Sequence, residues 1–198
     1  MTTKVKDPKK IKIGKSSKIK GANYERKISK LFEEWFKKHD PKASIARTPQ
    51  SGGHSKLAED WNMSSDLTCN NPDFPFLIEC KCNEAWDIRD LFKIKGLVFT
   101  SWWPQATKQS STTDKIPLLV FTKKYHPDFV AMPGGIDFGK ILIHSGNANP
   151  TVGFHEHKLI PDGMIICLLE SLLESNPKEW IDVIKARNIT PKSSKNTT

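Results

Sequence analysis

The run Phe76-Leu77-Ile78-Glu79-Cys80-Lys81-Cys82 is the strongest strand candidate in the chain, and it places a carboxylate and an amine two residues apart. Side chains alternate along a strand, so Leu77, Glu79 and Lys81 share one face, while Phe76, Ile78, Cys80 and Cys82 share the other. Glu79 and Lys81 then stand roughly 7 Å apart along the strand. Asp66 lies in the preceding strand candidate, 65–69, and a hairpin between the two strands would bring it beside Glu79. Two carboxylates at about 4 Å repel by roughly 4 kcal/mol at an effective dielectric near 20, so one must hold a proton or a cation must sit between them. Hard oxygen ligands select Mg²⁺ or Mn²⁺. Such an ion, held by Asp66 and Glu79, could polarise a phosphodiester and acidify a water, with Lys81 stabilising the developing negative charge. The same strand also reads as a solvated face carrying a surface Glu–Lys pair.

Glu25 adds a third carboxylate. With Tyr24 at the origin of a helical wheel, Leu31, Trp35, Ile28, Phe32 and Phe36 span an apolar arc from about −20° to 120°, and Glu25 falls inside it at about 100°. A carboxylate there must be paired, protonated or bound to a cation, unless it sits at the rim of the arc near the helix start, where the dipole favours an acid.

The elements that position these groups are read as follows. Gly21–His39 is a helix, ended by Asp40-Pro41. Residues 44–47 form a short strand. Thr48–Ser64 is a polar loop with Ser51-Gly52-Gly53. Residues 65–69 and Phe76–Cys82 make a hairpin across the Asn70–Asp73 turn. Residues 86–96 and Ser101–Ser111 are helices, the second with Pro104 in its first turn. Ile116–Thr122 is a buried strand, with shorter strands at Phe129–Met132, Lys140–His144 and Gly153–Leu159. Met164–Leu173 and Lys178–Arg187 are helices. This order predicts an α/β fold with a mixed central β-sheet flanked by helices. The domain reading is a flexible basic arm over 1–20, a folded body over 21–188 with its core at about 21–123 and additions at 124–188, and a polar tail over 189–198.

Gly21-Ala22-Asn23-Tyr24-Glu25-Arg26, Arg47 with Ser51-Gly52-Gly53, Ser65-Asp66-Leu67 and Ile78-Glu79-Cys80-Lys81 follow in that order. The set resembles the PD-(D/E)-x-K nuclease superfamily and, within it, the archaeal-type Holliday junction resolvases, over about residues 21–123. The resemblance implies a restriction-endonuclease-like core and metal-dependent hydrolysis of DNA. It implies that Glu25, Asp66 and Glu79 are acidic metal-site residues, that the main-chain carbonyl of Cys80 is a further ligand, that Lys81 is the catalytic lysine and that Ser51 lies near the scissile phosphate. Mg²⁺ is the implied cofactor, with Mn²⁺ able to substitute. The implied substrate is branched DNA such as a four-way junction, and two symmetry-related cuts imply a homodimer. The chain departs from the pattern in three ways: Ser65 stands where the superfamily name has proline, the loop from Arg47 to Asp66 is long, and about 75 residues follow Phe121. Two other readings remain open: a restriction-type or recombination-linked endo- or exonuclease on the same core, and a non-catalytic DNA-binding module.

Charge supports nucleic acid as the partner. The 198 residues carry a formal net charge of +9. Residues 1–20 hold eight lysines, among them Lys9, Lys10, Lys12, Lys15, Lys18 and Lys20, against the one acid Asp7. Basic N-terminal segments commonly sit on phosphates. If about five of these lysines do so, affinity falls roughly 500-fold between about 50 and 200 mM salt. A solubilising tail or a targeting signal would have the same composition. Arg47 and Lys56 flank the serine loop and could clamp phosphate. Gln105 could touch metal-bound water or DNA, as a helix glutamine does in related exonuclease-type members, or be an exposed helix residue. Trp102 and Trp103 could stack on bases, although such a pair is more often core. Cys80, Cys82, His155 and His157 could be imagined as a zinc site, but the spacing is poor.

No apolar run reaches the roughly 18 residues that a membrane span needs, and the lysine-rich start is no secretory signal. Four cysteines (Cys69, Cys80, Cys82 and Cys167) are too few for a disulfide framework. An intracellular location is expected, in host-cell cytoplasm if the chain is phage-encoded.

Overall fold

The structure is a computed structural model, and it describes residues 8–48, 65–111, 113–134, 152–154, 157–161 and 163–189. Helix α1 (Pro8–Phe36) is followed by strands β1 (Ile45–Arg47), β2 (Leu67–Cys69) and β3 (Phe76–Cys82). A short α2 (Ile88–Leu91) leads to a π-helical turn (Val98–Trp102) that runs straight into α3 (Trp103–Ser110). Strands β4 (Ile116–Thr122), β5 (Phe129–Pro133), β6 (Val152–Phe154) and β7 (Met164–Leu168) come next, then α4 (Leu169–Glu174) and α5 (Pro177–Ile189).

The main sheet has the order β3-β4-β5-β7-β6. β3 and β4 are parallel, and the remaining pairs are antiparallel. This is a mixed sheet between helical layers, a restriction-endonuclease-like α/β core. β4 is apolar from Ile116 to Phe121 because both its faces are covered. Leu118 and Val120 face the α1 side with Ile28, Phe32 and Trp180, whereas Leu119 and Phe121 face Trp86, Phe99, Trp102 and Trp103. Trp102 and Trp103 are therefore core residues.

The α1 layer is an aromatic lattice. Phe76 stacks on Trp35 at 5.7 Å and meets Trp180 of α5 at 5.2 Å. The indoles of Trp35 and Trp180 both donate to Ser175, at its carbonyl and hydroxyl oxygens respectively. Val130, Met132, Cys167 and Trp180 belong to the same core as Phe32 and Phe76, so chain beyond residue 123 completes the sheet and one of its layers.

Several sequence expectations need correction. Helix α1 starts at Pro8, so residues 8–20 are helical and Lys9, Lys10, Lys12, Lys15, Lys18 and Lys20 lie along its first turns. Lysine is a good helix former, and residues 8–20 add only Gly14 as a breaker beyond the opening Pro8. The hairpin of 65–69 with β3 is not formed: β2 pairs antiparallel with β1, and β3 takes β4 as its partner. The helix expected over 86–96 is limited to Ile88–Leu91, because Ile94 (φ 46°) and Gly96 (φ 79°) adopt left-handed backbone. Met164–Leu168 is a strand, not the start of a helix. Its apolar run has no helical period because Ile165 and Cys167 enter one core while Met164 and Ile166 enter the other. Within Gly153–Leu159 the described strand is Val152–Phe154, followed by a bridge between His157 and Ile160. Lys140–His144 lies outside the described residues.

Truncating Trp180 to alanine should destabilise the protein by about 3–5 kcal/mol, read from urea unfolding. Ile19→Ala, at an exposed position, should shift stability by no more than about 0.5 kcal/mol.

Candidate active site

The site forms where β3, an edge strand of the main sheet, meets the small β1–β2 sheet. Asp66 precedes β2, and its backbone joins the two sheets. Its N–H donates to the Ile78 carbonyl at 3.0 Å, and its carbonyl accepts from the Thr48 N–H at 2.9 Å. Its Oδ2 in turn accepts the Cys80 N–H at 2.8 Å. Asp66 thus reaches β3 as expected, though through a strand that pairs elsewhere. A strand residue's N–H and C=O leave on the same side, so the Cys80 carbonyl points out of the β3 edge that Asp66 occupies.

Glu79 is only 3 % exposed, which removes the reading of a solvated Glu–Lys face. Its Oε1 accepts from Lys81 Nζ at 2.5 Å and from Gln105 Nε2 of α3 at 2.7 Å. A buried carboxylate without such donors would be prohibitively costly. Lys81 keeps about a quarter of its side chain exposed (24 %), so its amine faces both Glu79 and solvent.

Glu25 is buried on α1 at 9 % exposure, which decides for the reading inside the apolar arc. Its Oε2 forms an ion pair with Arg47 Nε at the end of β1. The sequence reading gave Arg47 to phosphate and did not foresee this pairing, because 22 residues separate the two and nothing in the spacing marks them.

Electrostatics tie the groups into one site. Burial pushes the Asp66 carboxyl up to about 7, with Glu79 and Glu25 pushing the same way and the Cys80 N–H and Lys81 opposing them. The Cys80 thiol, fully buried, is raised well above its ordinary value by burial and by Asp66, Glu79 and Glu25. Asp66, Glu79 and Glu25 therefore share one low-dielectric region in which Lys81 and Arg47 are the opposing charges. Among the described residues no three His, Cys, Asp or Glu side chains are already set to grip a metal ion. Glu25 and Glu79 are turned onto protein cations and Asp66 onto a backbone amide.

Ser51 and Lys56 lie outside the described residues. Lys18 and Lys20 are exposed on α1. The imagined zinc site is not assembled: Cys80 is buried within the α1 core, His157 lies in the β6–β7 connection, and His155 is outside the described residues. All four cysteines are free thiols.

The raised Asp66 pKa has a sign that can be tested. In the metal-free fold Asp66 binds a proton more tightly than in the unfolded chain, so its stabilising contribution is complete below about pH 4 and is lost as pH rises through about 7. Asp66→Asn keeps a neutral side chain at every pH. Its thermal midpoint without metal should exceed that of the wild type at pH 8 and converge with it near pH 4, as read by calorimetry in EDTA.

No curated protein and no solved structure matches this chain. A family described as "Phage putative PDDEXK endonuclease" matches residues 16–182, which run from within α1 into α5. The name refers to an Asp…(Asp/Glu)-x-Lys signature, and Asp66, Glu79 and Lys81 meet at the edge of β3 in that order. With most of its length matched, the chain belongs to this phage PDDEXK endonuclease family.

Proposed function

We propose that the protein is a Mg²⁺-dependent DNA endonuclease that hydrolyses phosphodiesters in branched DNA, a four-way junction in the first instance, acting as a homodimer inside the cell. The observation that carries the reading is the convergence of three acids distant in sequence, Glu25 and Glu79 buried and Asp66 half-buried, on one sheet edge beside the Lys81 amine.

The donor set fits a hard divalent cation: carboxylate oxygens of Asp66, Glu79 and Glu25 and the outward carbonyl of Cys80. Repulsion among the acids is what such an ion relieves, and Mn²⁺ offers the same ligand preference. When bound, it would supply charge neutralisation at the scissile phosphate and a more acidic water. The protein's own groups do the rest. Lys81 gives up Glu79 and donates to the oxygen on which negative charge grows. Gln105 keeps hold of Glu79 as Lys81 leaves, fixing the carboxylate's orientation. Arg47 holds Glu25 against the sheet edge. Ser51, flanked in sequence by Arg47 and Lys56, would contact the phosphate.

The junction preference is supported by the resolvase-like order of Gly21–Arg26, Ser51-Gly52-Gly53, Asp66 and Glu79-x-Lys81. The lysines along the first turns of α1 add sequence-independent attraction for DNA. Two cuts across a symmetric junction require two copies of the site. A second reading has its own support. The bond from Gln105 to Glu79 resembles the helix glutamine of exonuclease-type members, and it favours a nuclease acting on linear or flapped ends. A mobile four-way junction, a flap and linear duplexes with open and with blocked ends separate the two readings. Equal cutting of linear duplex would contradict the junction reading.

Lys81→Ala and Asp66→Asn should each lower cleavage by at least about 100-fold while DNA binding in a gel-shift assay survives. Unchanged cleavage would instead support a non-catalytic binding module. Cleavage should stop in EDTA and return with Mg²⁺ or Mn²⁺. Replacing Lys9, Lys10, Lys12, Lys15, Lys18 and Lys20 by glutamine should flatten the dependence of log Kd on log salt by about one unit per lost phosphate contact. An unchanged slope would remove these lysines from the interface.

A further inference from the structure

The turn between β4 and β5 holds a residue that the fold does not explain. The N–H of His126 donates to the Lys123 carbonyl at 3.1 Å, closing a tight turn in which Tyr125 is the third residue. Tyr125 has φ 64°, a left-handed conformation that glycine or asparagine adopts readily and a bulky aromatic residue does not. Packing does not offset this strain, because Tyr125 is 89 % exposed.

The base of the turn is held firmly. The Thr122 hydroxyl lies 3.0–3.2 Å from the carbonyl oxygens of Lys123, His126 and Pro127. Lys123 Nζ donates to the Trp86 carbonyl and sits over its ring at 5.2 Å. Glu84 accepts from the Lys124 N–H. A rigid mount therefore presents one solvent-exposed ring. Lys124 Nζ lies 4.5 Å from the centre of that ring, and His126 and Pro127 beside it are exposed.

The turn also lies at the end of the sheet that carries Lys81. β3 and β4 are parallel, with Lys81 opposite Phe121 and Cys82 opposite Thr122, so the turn leaves the same end of the sheet as Lys81. Strand spacing and chain reach put Tyr125 no more than about 20 Å from Lys81 along the backbone. About six stacked nucleotides span that length.

We propose that the Lys123–His126 turn is a base-stacking contact: Tyr125 takes up an unstacked nucleobase of the DNA strand leaving the β3 edge, and Lys124 meets a neighbouring phosphate. An aromatic face beside a cation is how single strands are held without regard to sequence. The charged and polar neighbours of the ring suit a phosphate-bearing strand better than an apolar protein surface. The proposal rests on the nuclease reading and extends it, since branched or flapped DNA offers the unpaired bases that intact duplex withholds.

The test uses Tyr125→Asn, which suits left-handed backbone, with Tyr125→Phe and Tyr125→Trp as ring-retaining controls. Binding is measured in EDTA, with all variants in the Lys81→Ala background, to a duplex bearing a single-stranded arm with 2-aminopurine and to the plain duplex. Tyr125→Asn should weaken binding to the armed substrate by about 5- to 100-fold, as expected for one lost stacking contact. It should also abolish the 2-aminopurine quenching, while plain duplex binding stays within about twofold. Its thermal midpoint should be unchanged or higher, since a strained residue is relieved. Phe and Trp should bind the armed substrate like the parent. Equal affinity and quenching for Tyr125→Asn and its parent would overturn the proposal, as would a loss that matches on both substrates. In a separate arm with Lys81 intact and Mg²⁺ present, absence of cleavage of any DNA would instead count against the nuclease reading. The two failures are thus distinct.

Discussion

Three carboxylates, two buried and one half-buried, crowded at one edge of a sheet set the problem that the rest of the structure answers. Asp66, Glu79 and Glu25 come from a junction between sheets, a central position of β3 and a buried face of α1. Left alone, their repulsion and desolvation would cost far more than a domain can spare. The fold answers with a specific partner for each: Arg47 on Glu25, the Cys80 N–H on Asp66, and Lys81 with Gln105 on Glu79. The compensation is incomplete, and the raised pKa of Asp66 is the residue of it. A site built for stability alone would replace such acids by apolar groups. Acids in so expensive a place are what the proposed ion site would need.

The surrounding architecture is rigid where the acids are held. α1 is locked to β3 and α5 through the Phe32–Trp35–Phe76–Trp180 lattice, so Glu25 cannot drift from the sheet edge without breaking aromatic contacts. α3 packs on the opposite face through Trp103 and Ala106, and this fixes the base from which Gln105 reaches Glu79. The strands after residue 123 finish the same cores. The C-terminal third therefore supports the site mechanically, whatever else it does.

Much of the candidate site's geometry was legible in sequence because its signals are local. Period-two alternation in Phe76–Cys82 placed Glu79 and Lys81 on one face, and the helical wheel put Glu25 among core residues. What failed was non-local or lacked a period. No spacing rule says that β2 pairs with β1, so Asp66 was brought to Glu79 by the wrong hairpin. The Arg47–Glu25 ion pair and the bond from Gln105 to Glu79 join residues 22 and 26 positions apart. Met164–Leu168 read as helix because a strand buried on both faces has no alternation to betray it. The lysine-rich start read as a flexible arm because like charge was weighed above the helix propensity of lysine. Tyr125 gave no signal, since the strain that singles it out exists only once the turn is formed.

The claim at the centre is that the acids at the β3 edge form one divalent-ion site. The most direct measurement is anomalous diffraction from crystals soaked in Mn²⁺, for the wild type and Asp66→Asn. The account predicts a Mn²⁺ peak between the carboxylates of Asp66 and Glu79, within about 2.3 Å of their oxygens, with Lys81 displaced from Glu79 and the peak lost in the variant. A wild-type crystal with no peak there, with Lys81 still on Glu79, would contradict it.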